Sequence, residues 1–319
     1  LASGSYGNAS YSAAYLPSYA LSWTRNHMAK NKLFETQIVE IRETTTNIEI
    51  KSTLDENKMY RIHHPTKSDC WWVELRTKNS EGKSGVNFDK LIMEAGLAIT
   101  HEGNSGGAPS NSGTRTPANR RGETGYHITL EQQDGKFASQ HGQRSISNDL
   151  YKPGHEISPY TIPSTVSRDG TPSGIKIHNI TNTSNNTMKF DVTFIDEPNY
   201  KIQGVGYNFE NTSPAESSTN RTILKKNTYG ANIIATVTTS QIADGTKIFM
   251  TAHGDSGSKS LGYGVVNNNK CEITTSTTDF TNKLRASSTP RPGHVNFKVD
   301  PSSNYGDAFV WNDYIRVTY

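Results

Sequence analysis

The sequence predicts a mostly β protein: a short N-terminal helix, an antiparallel β unit, and then a C-terminal β-sandwich of immunoglobulin-like or jelly-roll type. Three observations predict it. Apolar residues make up 32% of 319 residues, and they fall in short runs that alternate with polar residues, the period of a half-buried strand. The chain keeps 15 Tyr and 10 Phe, along with many β-branched residues, which separates it from disordered chains of similar polarity. Clusters of Gly, Asn, Ser and Pro punctuate the runs at near-regular intervals, most evenly after residue 200, as in a sandwich. The length suits two domains, divided here as 1–195 and 196–319, and is enough to bury a core without disulfide staples.

The helix is expected within residues 1–32, where Tyr15, Tyr19, Trp23 and Met28 fall roughly on one face after Pro17. Alternation then predicts strands over 34–42, 45–52 and 58–63, and further strands are expected over 70–76 and 95–101. Residues 103–125 are dense in Gly, Ser, Asn, Pro and Arg and read as a long exposed loop. A strand over 126–132 leads into the Asp134-Gly135 turn, and residues 139–174 are again irregular. Strands 175–180 and 187–195 form a hairpin about an Asn/Ser turn. Residues 196–199 read as a linker, followed by strands over 201–208, 221–225, 231–238, 246–252, 261–266, 294–299 and 308–318.

Charge excludes some functions. Thirty-three basic and 30 acidic residues leave a net charge of +3, with no Lys/Arg run to track a phosphate backbone, so nucleic acid is not an expected partner. No apolar run approaches the ~20 residues that span a bilayer. Two cysteines, Cys70 and Cys271, are too few for a disulfide framework and are read as unpaired. The chain opens at Leu1 in a Gly/Ser-rich phrase, read as the start of a processed or excised piece of a secreted protein.

Six phrases in the first 195 residues carry a resemblance. They are Ser3-Gly4-Ser5-Tyr6-Gly7 with the segment ending near Trp23; Tyr60-Arg61-Ile62, Trp71 through Arg76 and Gly85 through Asp89; and Gly96 through His101. After these come Ile128 through Gly135; Asn148 through Gly154; and Ser173 through Ile180 with Met188 through Val192. In this order they resemble the region that follows the catalytic helix in secreted zinc metalloproteases of the immune inhibitor A type. The resemblance implies a zinc site of the form His-Glu-x-x-His on a helix, where histidines one turn apart ligate and the glutamate activates water. That motif is absent. His101-Glu102 continues as Gly-Asn-Ser and His155-Glu156 as Ile-Ser-Pro. Zinc is therefore expected only if a catalytic N-terminal segment accompanies this chain, and no catalytic residue is assigned within it.

Other constellations read as structure. Gly254-Asp255-Ser256-Gly257 copies a serine-protease phrase, but His253 adjoins it, whereas a triad brings its members together from distant segments; a hairpin turn is expected there. His63, His64 and His101 are candidate metal ligands, although adjacent strand residues point to opposite faces. Calcium favours oxygen-rich loops, and Asp134, Asn148 and Asp149 are its candidate ligands. Sequons at Asn8, Asn179, Asn182, Asn185, Asn211 and Asn220 are glycan acceptors if the source glycosylates. Tyr305, Trp311 and Tyr314 can stack on sugar rings or fill a core.

Three functions follow as expectations. The first is the non-catalytic C-terminal portion of a secreted metalloprotease, completing the protease fold and contacting a substrate or surface. The second is an extracellular structural or adhesive protein, self-assembling into filaments on a retired protease scaffold. The third is a carbohydrate-binding module that contacts a polysaccharide surface.

Overall fold

The computed structural model describes residues 37–53, 55–77, 95–103, 128–134, 148–167, 172–184, 186–209, 216–218, 221–225, 232–254, 257–284 and 291–318. The protein is mostly β, with several largely antiparallel sheets, as expected. The expected N-terminal helix and most of the loop over 103–125 lie outside the described residues.

The first half is itself two packed sheets. One holds β1 (Gln37–Ile41), β3 (Lys58–His63), β4 (Cys70–Arg76), β5 (Gly96–Glu102) and β6 (Ile128–Leu130), in that spatial order. The other holds β2 (Thr45–Lys51), β8 (Thr187–Phe194) and β7 (Ile175–Ser184). Because β2 crosses to the second sheet, β1 and β3 run parallel, so the first unit is not wholly antiparallel. Alternation sends Ile48 and Ile50 of β2, Met188, Phe190 and Val192 of β8, and Trp71, Val73 and Leu75 of β4 into one core. Every residue of β4 is buried, which accounts for its nearly continuous apolar run.

A carboxylate at the centre of the smaller sheet holds two irregularities in place. Asn47 and Asn179 adopt positive φ of 54° and 52°, and each lies where the strand pairing shifts register. The shift in β7 returns Ile180 to the core after Ile177. Asp191, on the strand between them, accepts from Asn47 N at 2.7 Å and Asn179 Nδ2 at 2.7 Å. The Asn179 hydrogen bond is the largest influence and holds the Asp191 carboxyl below its usual range; burial opposes it, and the Asn47 hydrogen bond and then His178 add to the lowering. The Asn179 amide of that sequon is therefore engaged in the fold.

The second half is a six-stranded sheet packed on a three-stranded one. The larger runs β10 (Glu216–Ser218), β11 (Arg221–Lys225), β17 (Trp311–Thr318), β16 (Arg291–Val299), β13 (Lys247–Gly254) and β14 (Gly257–Val265). The smaller runs β15 (Lys270–Ser276), β12 (Asn232–Ser240) and β9 (Lys201–Phe209). Their core gathers Ile233, Val237, Met250, Ile273, Phe280 and Phe297. A single helix among the described residues, α1 (Thr277–Leu284), contributes Phe280. Its first turn is capped where Ser276 Oγ accepts from Asp279 N at 3.0 Å.

The halves touch through a short seam. Val310 N donates to Pro159 O at 3.1 Å, Asn312 Nδ2 donates to Ser164 Oγ at 2.9 Å, and the rings of Tyr160 and Phe309 meet edge to face at 5.1 Å. No helix among the described residues is long and apolar enough to cross a membrane.

Candidate functional site

Polar groups concentrate at one end of the first sandwich. β3 ends at His63, and the chain turns through residues 64–69 before β4 begins. The turn closes on itself: His64 N donates to Asp69 O at 3.0 Å, and His64 Nδ1 accepts from Thr66 N at 3.0 Å and Lys67 N at 3.1 Å. This places His64 against Trp71, with ring centroids 6.3 Å apart. On its other side Trp71 stacks on His101 at 4.6 Å and 14°, because the two residues are partners in the β4–β5 pairing.

His101 is held between two acids. Its Nε2 lies 3.0 Å from Asp69 Oδ2, and its Nδ1 lies 3.5 Å from Glu131 Oε1. His101 and Glu131 are each 1% exposed and Asp69 is 6% exposed. Buried charges persist only when paired, so this triad anchors β4, β5 and the segment after β6 to one another. Nearby, burial raises the Tyr151 phenol well above its usual range, with the charges of Glu131 and then Asp134 adding to the shift.

A second polar group covers the outer face of the same sheet. Glu102 accepts from Trp72 Nε1 at 2.8 Å and from Cys70 Sγ at 3.0 Å, and lies 3.6 Å from Arg61. Arg61 packs 5.0 Å over the Trp72 ring and donates to Cys70 Sγ at 3.2 Å. Glu40 pairs with His63 at the margin. Burial, then Glu102, pushes the Cys70 thiol far up, with Arg61 only partly offsetting. Burial and then Glu272 push Cys271 up to about 11.

Both cysteines are buried free thiols, as the sequence reading expects. Thiolates, not thiols, react. A disulfide-exchange reagent at pH 8 is therefore expected to label neither thiol in the folded protein and both in guanidinium. Prompt labelling of either one in buffer overturns this assignment.

The candidate metal ligands separate. His63 and His64 point to opposite faces, and the Trp71 ring lies between His64 and His101, so the three imidazoles do not converge. Among the described residues no group of three or more His, Cys, Asp or Glu is placed to hold a metal ion. Asp134 and Asp149 do come onto neighbouring segments, joined by Gln133 N donating to Asp149 O at 3.2 Å. Asp149 is buried, Asp134 half-buried and Asn148 exposed.

The serine-protease phrase is a tight hairpin: Gly254 pairs with Gly257, and two residues lie between them. Trp311 and Tyr305 pack against the second core, and the Tyr314 side chain lies outside the described residues. The sequence reading missed Asp69 and Glu131 as partners of His101, and it missed the exposed pair Tyr263 and Val265, 53% and 48% accessible.

No family model and no curated protein matches the chain. Among solved structures, β-glucuronidase of Bifidobacterium dentium, complexed with coumarin-3-O-glucuronide, is similar over 41% of this chain and 20% of its own. The identity is 13% and the TM-score 0.23, too low to carry a fold or a function.

Proposed function

We propose that this chain is the non-catalytic C-terminal portion of an extracellular metalloprotease of the immune inhibitor A type, completing the protease fold and contacting a substrate or surface. One observation carries the reading. Among the described residues, three of the phrases that resemble that family meet at one place: His101 of the Gly96–His101 phrase stacks on Trp71 of the Trp71–Arg76 phrase and pairs with Glu131 of the Ile128–Gly135 phrase. The first two of these phrases and the two later ones share one core, through Val73, Leu97, Tyr151, Ile177 and Phe190 among others. A set of short matches that assembles into a single packed unit supports common descent over coincidence. The chain itself lacks the zinc motif, so hydrolysis belongs to a separate segment. Asp134, Asn148 and Asp149 offer oxygens for a calcium ion beside the His101 anchor.

Zinc per chain, measured on natively purified material with a denaturing gel of the same sample, tests this. About one zinc together with a second band supports a catalytic partner segment. No zinc and a single band overturns the protease reading.

A second reading, self-assembly, is favoured by β9. It is the last strand of its sheet, and among the described residues its outer edge has no partner strand. From Ile202 to Phe209 it carries no charge and no proline, the usual devices that protect an edge. If this edge accepts a second copy, sedimentation rises with concentration and Asn208→Lys, at an exposed position of β9, abolishes the rise. A monomer at all concentrations removes this reading.

A further inference from the structure

The two most exposed large apolar side chains among the described residues, Tyr263 and Val265, are neighbours on one face of β14. Strand alternation explains why the face is not core. In β13, Ile248, Met250 and Ala252 point inward, so Lys247, Phe249, Thr251 and His253 point outward. Register then fixes the neighbours. Phe249 pairs with Tyr263 on one side and Lys298 on the other, and Thr251 pairs with Asn296. Phe249 and Tyr263 lie 5.8 Å apart with their rings tilted by 54°, and Lys247 Nζ lies 5.0 Å over the Tyr263 ring. Next to Asn296, its amide oxygen approaches His253 Nε2 at 3.4 Å.

Three properties of this face are independent of one another. Its centre is aromatic and open to water, and contiguous exposed apolar surface of this kind often marks a docking site. Its polar members, Thr251, Asn296 and His253, are neutral hydrogen-bonding groups suited to hydroxyls. Its charges are two ammonium groups, Lys247 and Lys298. The described outward positions of β13, β14 and β16 hold no carboxylate. Asp300, just beyond β16, accepts from Ser302 N and Oγ and also feels the charge of Lys247.

We infer that this face binds an anionic polysaccharide. The apolar side of a sugar ring stacks on Tyr263 and Phe249, its carboxylate meets Lys298 and Lys247, and its hydroxyls reach Thr251 and Asn296. Phe249 and His253, four residues apart, span about 13 Å of strand, so an extended chain lies along β13. An acidic peptide satisfies the lysines but leaves the ring-stacking surface unused. A neutral glycan uses the rings but brings no counter-charge to the ammonium groups. The anionic sugar polymer is the one occupant that uses both. The inference rests on the surface-contacting part of the reading above and not on its protease part.

Affinity electrophoresis of the full chain in gels cast with alginate, dextran or polyglutamate tests it. The expected result is retardation in alginate alone. Tyr263→Ala is expected to weaken alginate binding about tenfold, the order of one stacking contact, and Lys298→Gln to weaken it less and flatten its salt dependence. Both side chains face solvent, so the melting temperature stays within about a degree of the parent's, and a circular dichroism melt verifies folding. Absence of retardation in alginate overturns the inference. So does equal retardation in dextran or in polyglutamate, or unchanged binding by Tyr263→Ala. Sedimentation of a dimer that Tyr263→Ala dissolves assigns the face to a second copy and also overturns it. None of these outcomes changes the zinc content that tests the protease reading.

Discussion

His101→Ala is expected to lower the stability of the first sandwich by about 3–5 kcal/mol, the usual cost of removing one member of a buried ionic group. The substitution acts in two ways. It leaves the Asp69 and Glu131 carboxylates facing each other across a cavity, in a site where His101 and Glu131 are each 1% exposed. It also removes the ring stacked on Trp71 at 4.6 Å, so the start of β4 loses support on one side. Urea unfolding followed by tryptophan fluorescence reads this directly, because Trp71 and Trp72 lie in this unit. The ion group also predicts coupling. In the double variant His101→Ala, Glu131→Gln, one of the stranded charges is gone, so the loss is smaller than the sum of the two single losses. His155→Ala is the comparison: its ring accepts only from Lys152 N at 3.2 Å, and its removal is expected to cost roughly 0.5–1.5 kcal/mol. Equal losses for His101→Ala and His155→Ala, or strict additivity in the double variant, would show that the triad does not hold the site together.

The sequence carried the strands more plainly than their partners. Alternation at 45–52 and 187–195 predicts β2 and β8 nearly to the residue, because it reports which side chains face a core, and the apolar run at 70–76 does the same for the wholly buried β4. It does not report which strand lies alongside, so the crossover of β2 and the parallel pairing of β1 with β3 were invisible. β15 was missed because its inward positions are Cys271, Ile273 and Thr275, of which only Ile273 is strongly apolar. The helix α1 was missed for a similar reason, since Phe280 is its one described buried anchor. Yet Ser276 followed three residues later by Asp279 was a readable start signal, and the structure uses it as a cap. His101 drew notice through Glu102, its neighbour in sequence, but Glu102 faces the outer side of the sheet and binds Trp72. The true partners, Asp69 and Glu131, lie about thirty residues away on either side, and no spacing rule links them. Tyr263 was equally hidden. Its period matches that of any strand aromatic, and only the register with Phe249 and the lack of a covering layer distinguish it.

Gly174→Ala is expected to cost about twice what Gly154→Ala costs or more, although both residues have positive φ, 68° and 84°. In each, a Cβ meets the left-handed penalty of roughly 1–2 kcal/mol. Around Gly154 nothing lies within 4 Å of the added carbon, so that term is the whole effect. At Gly174 the added carbon runs into the carbonyl oxygen of Ile195. That contact is fixed by pairing: Ile195 N donates to Gly174 O at 2.7 Å, closing the open end of the β7–β8 hairpin. The obstacle is backbone, with no rotamer to turn aside. Relief requires the strands to part where Ile175 enters the core, fully buried, and overpacking of this kind adds roughly 1–3 kcal/mol. The combined loss is about 2–5 kcal/mol, and at about 2–4 °C per kcal/mol for a unit of this size, thermal melting separates the two variants. Equal melting points for Gly174→Ala and Gly154→Ala would mean that the chain leaves β8 by another path. A distinctly larger drop for Gly174→Ala places the close approach of Ile195 at the root of the hairpin, five residues before Tyr200 turns its hydroxyl to Asp307 of the second sandwich.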